Sequence, residues 1–463
     1  MTSTKQHVLC VALTSVFACT AYGQTVNRII HVDADSLATP PDGQSWSTAF
    51  KYLQDALQYV RDNPTAPNTW DEIWVANGVY KPNQCTNANS YVCTRRCDGV
   101  ATDAQHISFC MRNSLRIYGG FNGWESSLAD RPFDPDPFTV YPTTDSVLGG
   151  DRWGNDAIVS ASCPPSGDCS ADCAAIIDPG FPPNTWDPLK NECRDAYGLL
   201  VTRRTDNSDS VVSGPANLSG NMVDGSAAIL DGFSITGGFA QGFGFDVNGN
   251  ELGGGGIRFL GGAPKVWNCT IKGNRADNGG GAIYVYGAQR FDGHFVNNVI
   301  MENYSGHGGG GAAKQEFYPL FVNCYVLGNV SGDRGGAFSF SDPTGQAISE
   351  PRIINCVFTR NIAGPIGSGG GASAGIGGAI YASGENTWVH VFNSVIADNK
   401  TLKVGSATRQ GGGLFFGNLS RGEIANTIVW GNVADEGMQM YVNVPQGKVT
   451  VNYSDVRAYP KNG

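Results

Sequence analysis

Charge is scarce in this sequence. Asp, Glu, Lys and Arg make up 16% of its 463 residues, against about a quarter in an ordinary domain. Hydrophobic residues hold a normal 41%, so there is much to bury and little charge to keep the chain solvated; disorder is excluded. Cations are the scarcer sign: 31 Lys and Arg face 41 Asp and Glu, a formal −10. That balance excludes a nucleic-acid binder, whose phosphate contacts need a basic face. Heptads of Glu, Lys and Leu are missing, which excludes a coiled coil. No stretch of the mature chain approaches the ~18 consecutive apolar residues of a membrane-spanning helix. The six histidines are scattered without zinc or triad spacing, and no phosphate loop occurs. Glycine is what abounds, at 63 residues, roughly twice average usage. Its spacing is not the every-third repeat of collagen. These features together describe a glycine-punctuated β protein.

The first residues read as an export signal. Lys5 and His7 precede an uncharged, largely apolar run from Val8 to Ala21, with small residues for cleavage before Gln24. Val16-Phe17-Ala18-Cys19 is a looser match to a lipid-attachment box. Residues 1–23 are thus expected to be removed, and the mature chain to be secreted or at the cell surface. Eight cysteines fall in two quartets, Cys85, Cys93, Cys97, Cys110 and Cys163, Cys169, Cys173, Cys193. Both lie in polar stretches with little to build a core. In an exported protein each quartet predicts two disulfides stapling a long loop. Paired C-x2-C zinc knuckles are lacking, and spacing leaves three connectivities open in each quartet.

An internal repeat governs the rest. One phrase returns from residue 228 onward, as in Trp267-Asn-Cys-Thr-Ile-Lys-Gly-Asn274 and Val322-Asn-Cys-Tyr-Val-Leu-Gly-Asn329. Its first Asn recurs at 268, 297, 323, 355, 393 and 426, at intervals of 29, 26, 32, 38 and 33. A glycine phrase alternates with it, as in Gly280-Gly-Ala-Ile-Tyr284 and Gly377-Gly-Ala-Ile-Tyr381. At least two short strands per period, separated by Gly or Asn turns, predict a parallel β-solenoid with one coil per period. Period-two alternation sends Ile235, Ile271, Ile300, Val326, Phe358, Ile396 and Val429 to the interior. Two places earlier stand Phe233, Cys269, Asn298, Cys324, Cys356, Ser394 and Thr427, with the cysteines read as buried free thiols. The terminal Asn column (274, 303, 329, 361, 399, 432) is expected to adopt left-handed backbone and to hydrogen-bond along the stack. Residues 24–227 are looser and form the cap and first coils, with the Cys-rich loops thrown out from them; residues 228–463 are the regular coils. Phe50, Leu53, Leu57 and Val60 predict an amphipathic helix after a Ser47 cap, covering the bare strand edge at the solenoid end. Glu72 to Tyr80 and Leu115 to Phe121 read as early strands.

These phrases resemble secreted right-handed parallel β-helix proteins with repeats of the chlamydial polymorphic outer-membrane-protein type, which abound in planctomycetes. The family's Gly-Gly-Ala-Ile phrase matches Gly281-Ala282-Ile283 and Gly378-Ala379-Ile380, and its Phe-x-x-Asn phrase matches Phe295 to Asn298 and Phe358 to Asn361. The resemblance implies an all-β, right-handed parallel β-helix with an N-terminal capping helix. It implies little about activity, since β-helices host lyases, hydrolases, adhesins and scaffolds. Nothing here resembles the membrane barrel of the outer-membrane relatives. The sequence ends soon after a decaying repeat, without the closing segment relatives usually carry.

The candidate chemistry is sparse. Arg258 stands out in a column otherwise read as Ile283, Ala313, Phe338, Ile380 and Phe415, where a buried cation needs a partner. Asp246 or Glu251 would supply it, and these three are the candidate catalytic residues. Asp246, Asn248 and Asn250 space three oxygen ligands two apart, like half of a calcium loop, but the twelfth place holds Ile257 rather than Glu. Calcium is the one cofactor this suggests. The neighbouring column Phe259, Tyr284, Lys314, Ser339, Tyr381 and Phe416 is read as outward, a platform for sugar rings. The expectation is a structural, adhesive or glycan-binding protein without catalysis, partnered by extracellular polysaccharide or envelope components. The alternative is a lyase or glycoside hydrolase acting on an acidic polysaccharide.

Overall fold

Between residues 265 and 285 the chain completes one coil from four short strands, Lys265–Trp267, Thr270–Lys272, Arg275–Ala276 and Ile283–Val285. Strands this short hold only because each pairs with its counterpart in the coils before and after. The computed structural model describes residues 26–97, 99, 106–132, 146–152, 185–187, 192–194, 207–215, 217–222, 226–240, 253–285, 291–306, 308–313, 318–341, 348–364, 374–443 and 448–457. Among these the coils stack into sheets of 11, 10, 9 and 6 strands. The strand ladders of these four sheets are parallel, as in Ile271↔Ile300 and Ile300↔Val326. One separate hairpin, Thr185–Asp187 with Glu192–Arg194, is antiparallel. The chain is a parallel β-helix.

The interior follows the period-two reading. Ile235, Ile271, Ile300, Val326, Phe358, Ile396 and Val429 are fully buried and pair in sequence along the 10-stranded sheet. The 11-stranded sheet contributes a matching pile, Val266, Phe295, Phe321, Ile353, Val391 and Ile424. Phe295 and Phe321 stack at 4.9 Å. Cys269, Cys324 and Cys356 are buried free thiols. Burial pushes the Cys269 thiol up to about 12, which leaves it inert.

The corners differ from expectation by one place. The left-handed residues are the first Asn of each phrase, at φ of 50 to 56° for 268, 297, 323, 355, 393 and 426. The residue before the terminal Asn is also left-handed, as at Gly273, Glu302, Gly328 and Arg360. Asn tolerates that region because its short amide bonds locally. The first Asn residues form an outer ladder, with Asn323 donating to Asn297 at 3.2 Å and Asn355 to Asn323 at 2.6 Å. The terminal Asn residues lie inside. Each donates through Nδ2 to the next Oδ1 at 2.9 to 3.1 Å, from Asn274 through Asn432. So the hydrogen-bonded stack occurs at the terminal Asn, while the turn conformation belongs to its neighbours.

A second correction concerns the glycine phrase. Ile257 pairs with Ile283 and Arg258 with Tyr284, while Leu414 pairs with Ile380 and Phe415 with Tyr381. Gly256 and Gly413 therefore stand where other coils have Ala282 and Ala379, and the Gly-Gly pair preceding each was the true match. A Cβ on Gly378 would overlap the carbonyl oxygen of Gly412, so adjacent coils meet backbone to backbone there. A slip of one residue exchanges the two faces of a strand. Phe259 and Phe416 are thus interior core residues, fully buried. Arg258 belongs to the outer column with Tyr284, Ser339, Tyr381 and Phe415.

The helix spans Leu53–Asp62 and begins later than expected, with Tyr52 rather than Ser47 at its N-cap; a 3-10 turn occupies Trp46–Thr48. Leu53, Leu57 and Val60 join the core beside Ile30 and Val32. The strand Val26–Val32, which the sequence reading did not single out, pairs with Trp70–Ala76 and places the helix against the first coil. Cys85 bonds Cys93 and Cys97 bonds Cys110. Cys163, Cys169 and Cys173 lie outside the described residues, and only the backbone of Cys193 is described.

Candidate anion-binding site

The first stapled loop is tied down on the helix by polar contacts. Gln54 Nε2 donates to the Pro82 carbonyl at 2.6 Å, the Thr86 amide donates to Asp55 at 3.0 Å, and the Val92 amide donates to Gln58 at 3.2 Å. With the two disulfides this encloses a cavity of about 240 Å³ between loop, helix and the strand Phe109–Cys110. Among the described residues four arginines line it: Arg61 from the helix, Arg95 and Arg96 from the loop, and Arg112 just past the strand. The Arg61 guanidinium lies 3.1 Å from the Tyr91 ring centroid and that of Arg95 lies 5.2 Å away. A guanidinium over a ring face is held by cation–π attraction with its donors directed to the sides. Arg112 Nη1 is buried without a hydrogen-bond partner among the described residues. Burial and then the neighbouring Arg61 cation lower the Arg112 pKa, opposed by Asp71 and Asp62. Crowded cations in a concave site, with a spare donor on Arg112, suit an anion.

The other candidate residues fall elsewhere. Asp246, Asn248, Asn250, Glu251 and Lys314 lie outside the described residues. Tyr284 is on the outer face but fully buried, since a Cβ on Gly253 or Gly279 would press on its ring. Tyr381, Phe415 and Tyr441 stack on one another at 5.3 and 5.4 Å, with their rings nearly parallel. Coils repeat at about the stacking distance of two rings, so these aromatics spend their faces on each other and offer only edges outward. Arg258 lines a small cavity adjoining the arginine pocket, with Arg96, His106, Ser108, Asp209 and Ser213. Among the described residues no group of three or more His, Cys, Asp or Glu is arranged to hold a metal ion. The sequence reading missed Arg61, Arg95, Arg96, Arg112, Tyr91, His106 and Asp209. The available signal was Arg95-Arg96 inside a cysteine quartet of an acidic chain.

A second titratable pair sits on the 11-stranded sheet. Lys265 Nζ lies 2.8 Å from His294 Nδ1. Burial lowers Lys265 to about 8, and burial together with the lysine charge lowers His294 to about 4. Between about 4 and the ordinary histidine value of 6.5, the His294 of the unfolded chain binds a proton that the folded chain refuses. Stability from this group therefore rises as pH climbs from about 4 to 6.5. Wild type should gain thermal midpoint relative to His294→Gln across that window, read by calorimetry; parallel pH curves would refute it.

No family model matches this chain, and no curated protein does. A solved structure, that of pectate lyase Pel9A, is similar at 13% identity, covering 94% of this chain and 80% of that one, with a TM-score of 0.42. The likeness is one of overall winding and says nothing of the site.

Proposed function

We propose that this is an exported β-helix protein of the cell surface or extracellular space that binds an acidic glycan in the arginine pocket. The convergence of Arg61, Arg95, Arg96 and Arg112 in one cavity carries the reading. A cavity of about 240 Å³ takes roughly one sugar ring with its carboxylate, and guanidinium forks fit a carboxylate in bidentate fashion. Tyr91 adds an aromatic wall. Two disulfides, and the absence among the described residues of a helix long and apolar enough to cross a membrane, suit that location. So do the signal-like residues 1–23 and the resemblance of the repeats to those of outer-membrane proteins. The coiled body serves as the rigid support that displays the pocket.

The test is calorimetric titration with an oligogalacturonate. Wild type should bind, more weakly as salt is raised. Arg61→Ala with Arg112→Ala should weaken binding at least tenfold, since charge-assisted hydrogen bonds contribute ~1.5–3 kcal/mol each. Equal affinity in the double variant would rule out this pocket.

A further inference from the structure

Trp388 begins the strand Trp388–Phe392 of the 11-stranded sheet and is 40% exposed. Period-two alternation puts His390 on the same outer face, and its ring centroid lies 4.7 Å from that of Trp388. His390 is held in turn: Nδ1 lies 3.1 Å from Glu423 and Nε2 lies 3.2 Å from Glu350, while Glu350 also pairs with Arg352 at 3.2 Å. The indole is thus braced by a fixed imidazole, and the two carboxylates that touch this group are engaged. Across the ladder Trp388 pairs with Arg421, and Arg421 pairs with Lys448 in the next coil. Both cations are exposed, and neither has an ion pair among the described residues. Three paired positions at ~4.8 Å spacing line up one aromatic plane and two cations over about 10 Å of surface.

We propose that Trp388, Arg421 and Lys448 form a second glycan site, separate from the arginine pocket, for an anionic oligosaccharide lying along the coil axis. The apolar C–H face of a sugar ring packs on the indole, where dispersion and the removal of apolar surface from water favour contact. The carboxylate of that ring or of the next one falls to the cations. Arg421 offers a planar fork that matches a carboxylate, and Lys448 adds a point charge. The chain carries a formal −10, so a polyanion gains only where cations gather locally, and salt confines the general repulsion to about 8 Å. One aromatic and two cations are too small a patch for a protein partner, whose interface needs roughly 800 Å² on each side. A short oligosaccharide is of the right size.

The experiment titrates an oligogalacturonate into the full chain carrying Arg61→Ala and Arg112→Ala, which isolates this face from the pocket. Binding weaker than that of wild type should remain, and adding Trp388→Ala should lower it roughly tenfold or more, as loss of an aromatic anchor does. Trp388→Phe should restore most of the affinity. Arg421→Ala with Lys448→Ala should weaken binding and flatten its dependence on salt. Thermal midpoints should stay close to the parent, because all three side chains are exposed. No residual binding, or binding indifferent to Trp388→Ala, overturns this site and leaves the pocket reading standing. Equal binding of an uncharged galactose oligosaccharide overturns the role of the cations, and equal binding of polyglutamate overturns the stacked sugar. If Trp388→Ala weakens binding in the wild-type background while Arg61→Ala with Arg112→Ala changes nothing, the pocket reading falls alone.

Discussion

Asn329→Ala will lower unfolding stability by on the order of 5 kcal/mol, a large fraction of the ~5–15 kcal/mol that holds a typical domain. Asn329 Nδ2 donates to the Ile300 carbonyl at 2.8 Å and to Asn361 Oδ1 at 3.0 Å, while its Oδ1 accepts from the amide and Nδ2 of Asn303 at 3.1 and 2.9 Å. Four buried bonds vanish at ~1 kcal/mol each, and the Asn303 amide is left without a partner at a further ~1–3 kcal/mol. Asn323 lies on the outer ladder, half-buried and left-handed at φ of 53°. Asn323→Gly keeps that conformation available and should cost only ~1–2 kcal/mol, since water can replace both of its outer-ladder bonds, to Asn297 and from Asn355. Guanidinium unfolding of the two variants, followed by circular dichroism, separates them. Similar midpoints would mean that the inner ladder is not a stabilising element.

The second large effect tests the register. Ile396 is fully buried between Phe358 and Val429, whereas the adjacent Ala397 faces outward beside Thr359 and Trp430. Ile396→Asp places a carboxylate in the apolar pile with no cation to pair it, which costs several kcal/mol even if the group stays protonated. Soluble expression should fail or the thermal midpoint collapse. Ala397→Asp, one residue away, should fold with a midpoint close to wild type. If both substitutions were tolerated, the interior assigned to this strand would be wrong.

Much of the fold was legible because a stacked coil repeats its environment. The same position in every turn meets the same neighbours, so Ile271, Ile300, Val326 and Ile396 announce one column without any structure. The glycine phrase was harder. Gly-Gly-Gly runs at 253–256 and 411–413 offer more than one alignment, and only backbone pairing shows that Ile257 lies beside Ile283. That single slip put Phe259 and Phe416 outside and Arg258 inside. The terminal Asn was assigned the turn of its neighbour for a related reason: sequence reports which residue recurs, while hydrogen-bond geometry decides which of two adjacent residues turns the corner.

The arginine pocket was hidden for a different reason. Arg61 and Arg112 are far apart in sequence and meet because the helix packs on the first coil and two disulfides fold the loop over it. His106 and Asp209 are farther still, brought together where Phe109–Cys110 pairs with Val212–Gly214. Periodicity carries no information about such meetings, since these residues belong to no repeat. By itself the sequence determined the coiled architecture, the buried columns and the first stapled loop, because each follows from local alternation and from the clustering of cysteines in a polar stretch. Register at the glycine runs, the pairing of Cys85 with Cys93 and Cys97 with Cys110, and the clustering of cations were decided only in three dimensions. Each depends on which distant segments the packed coils force into contact.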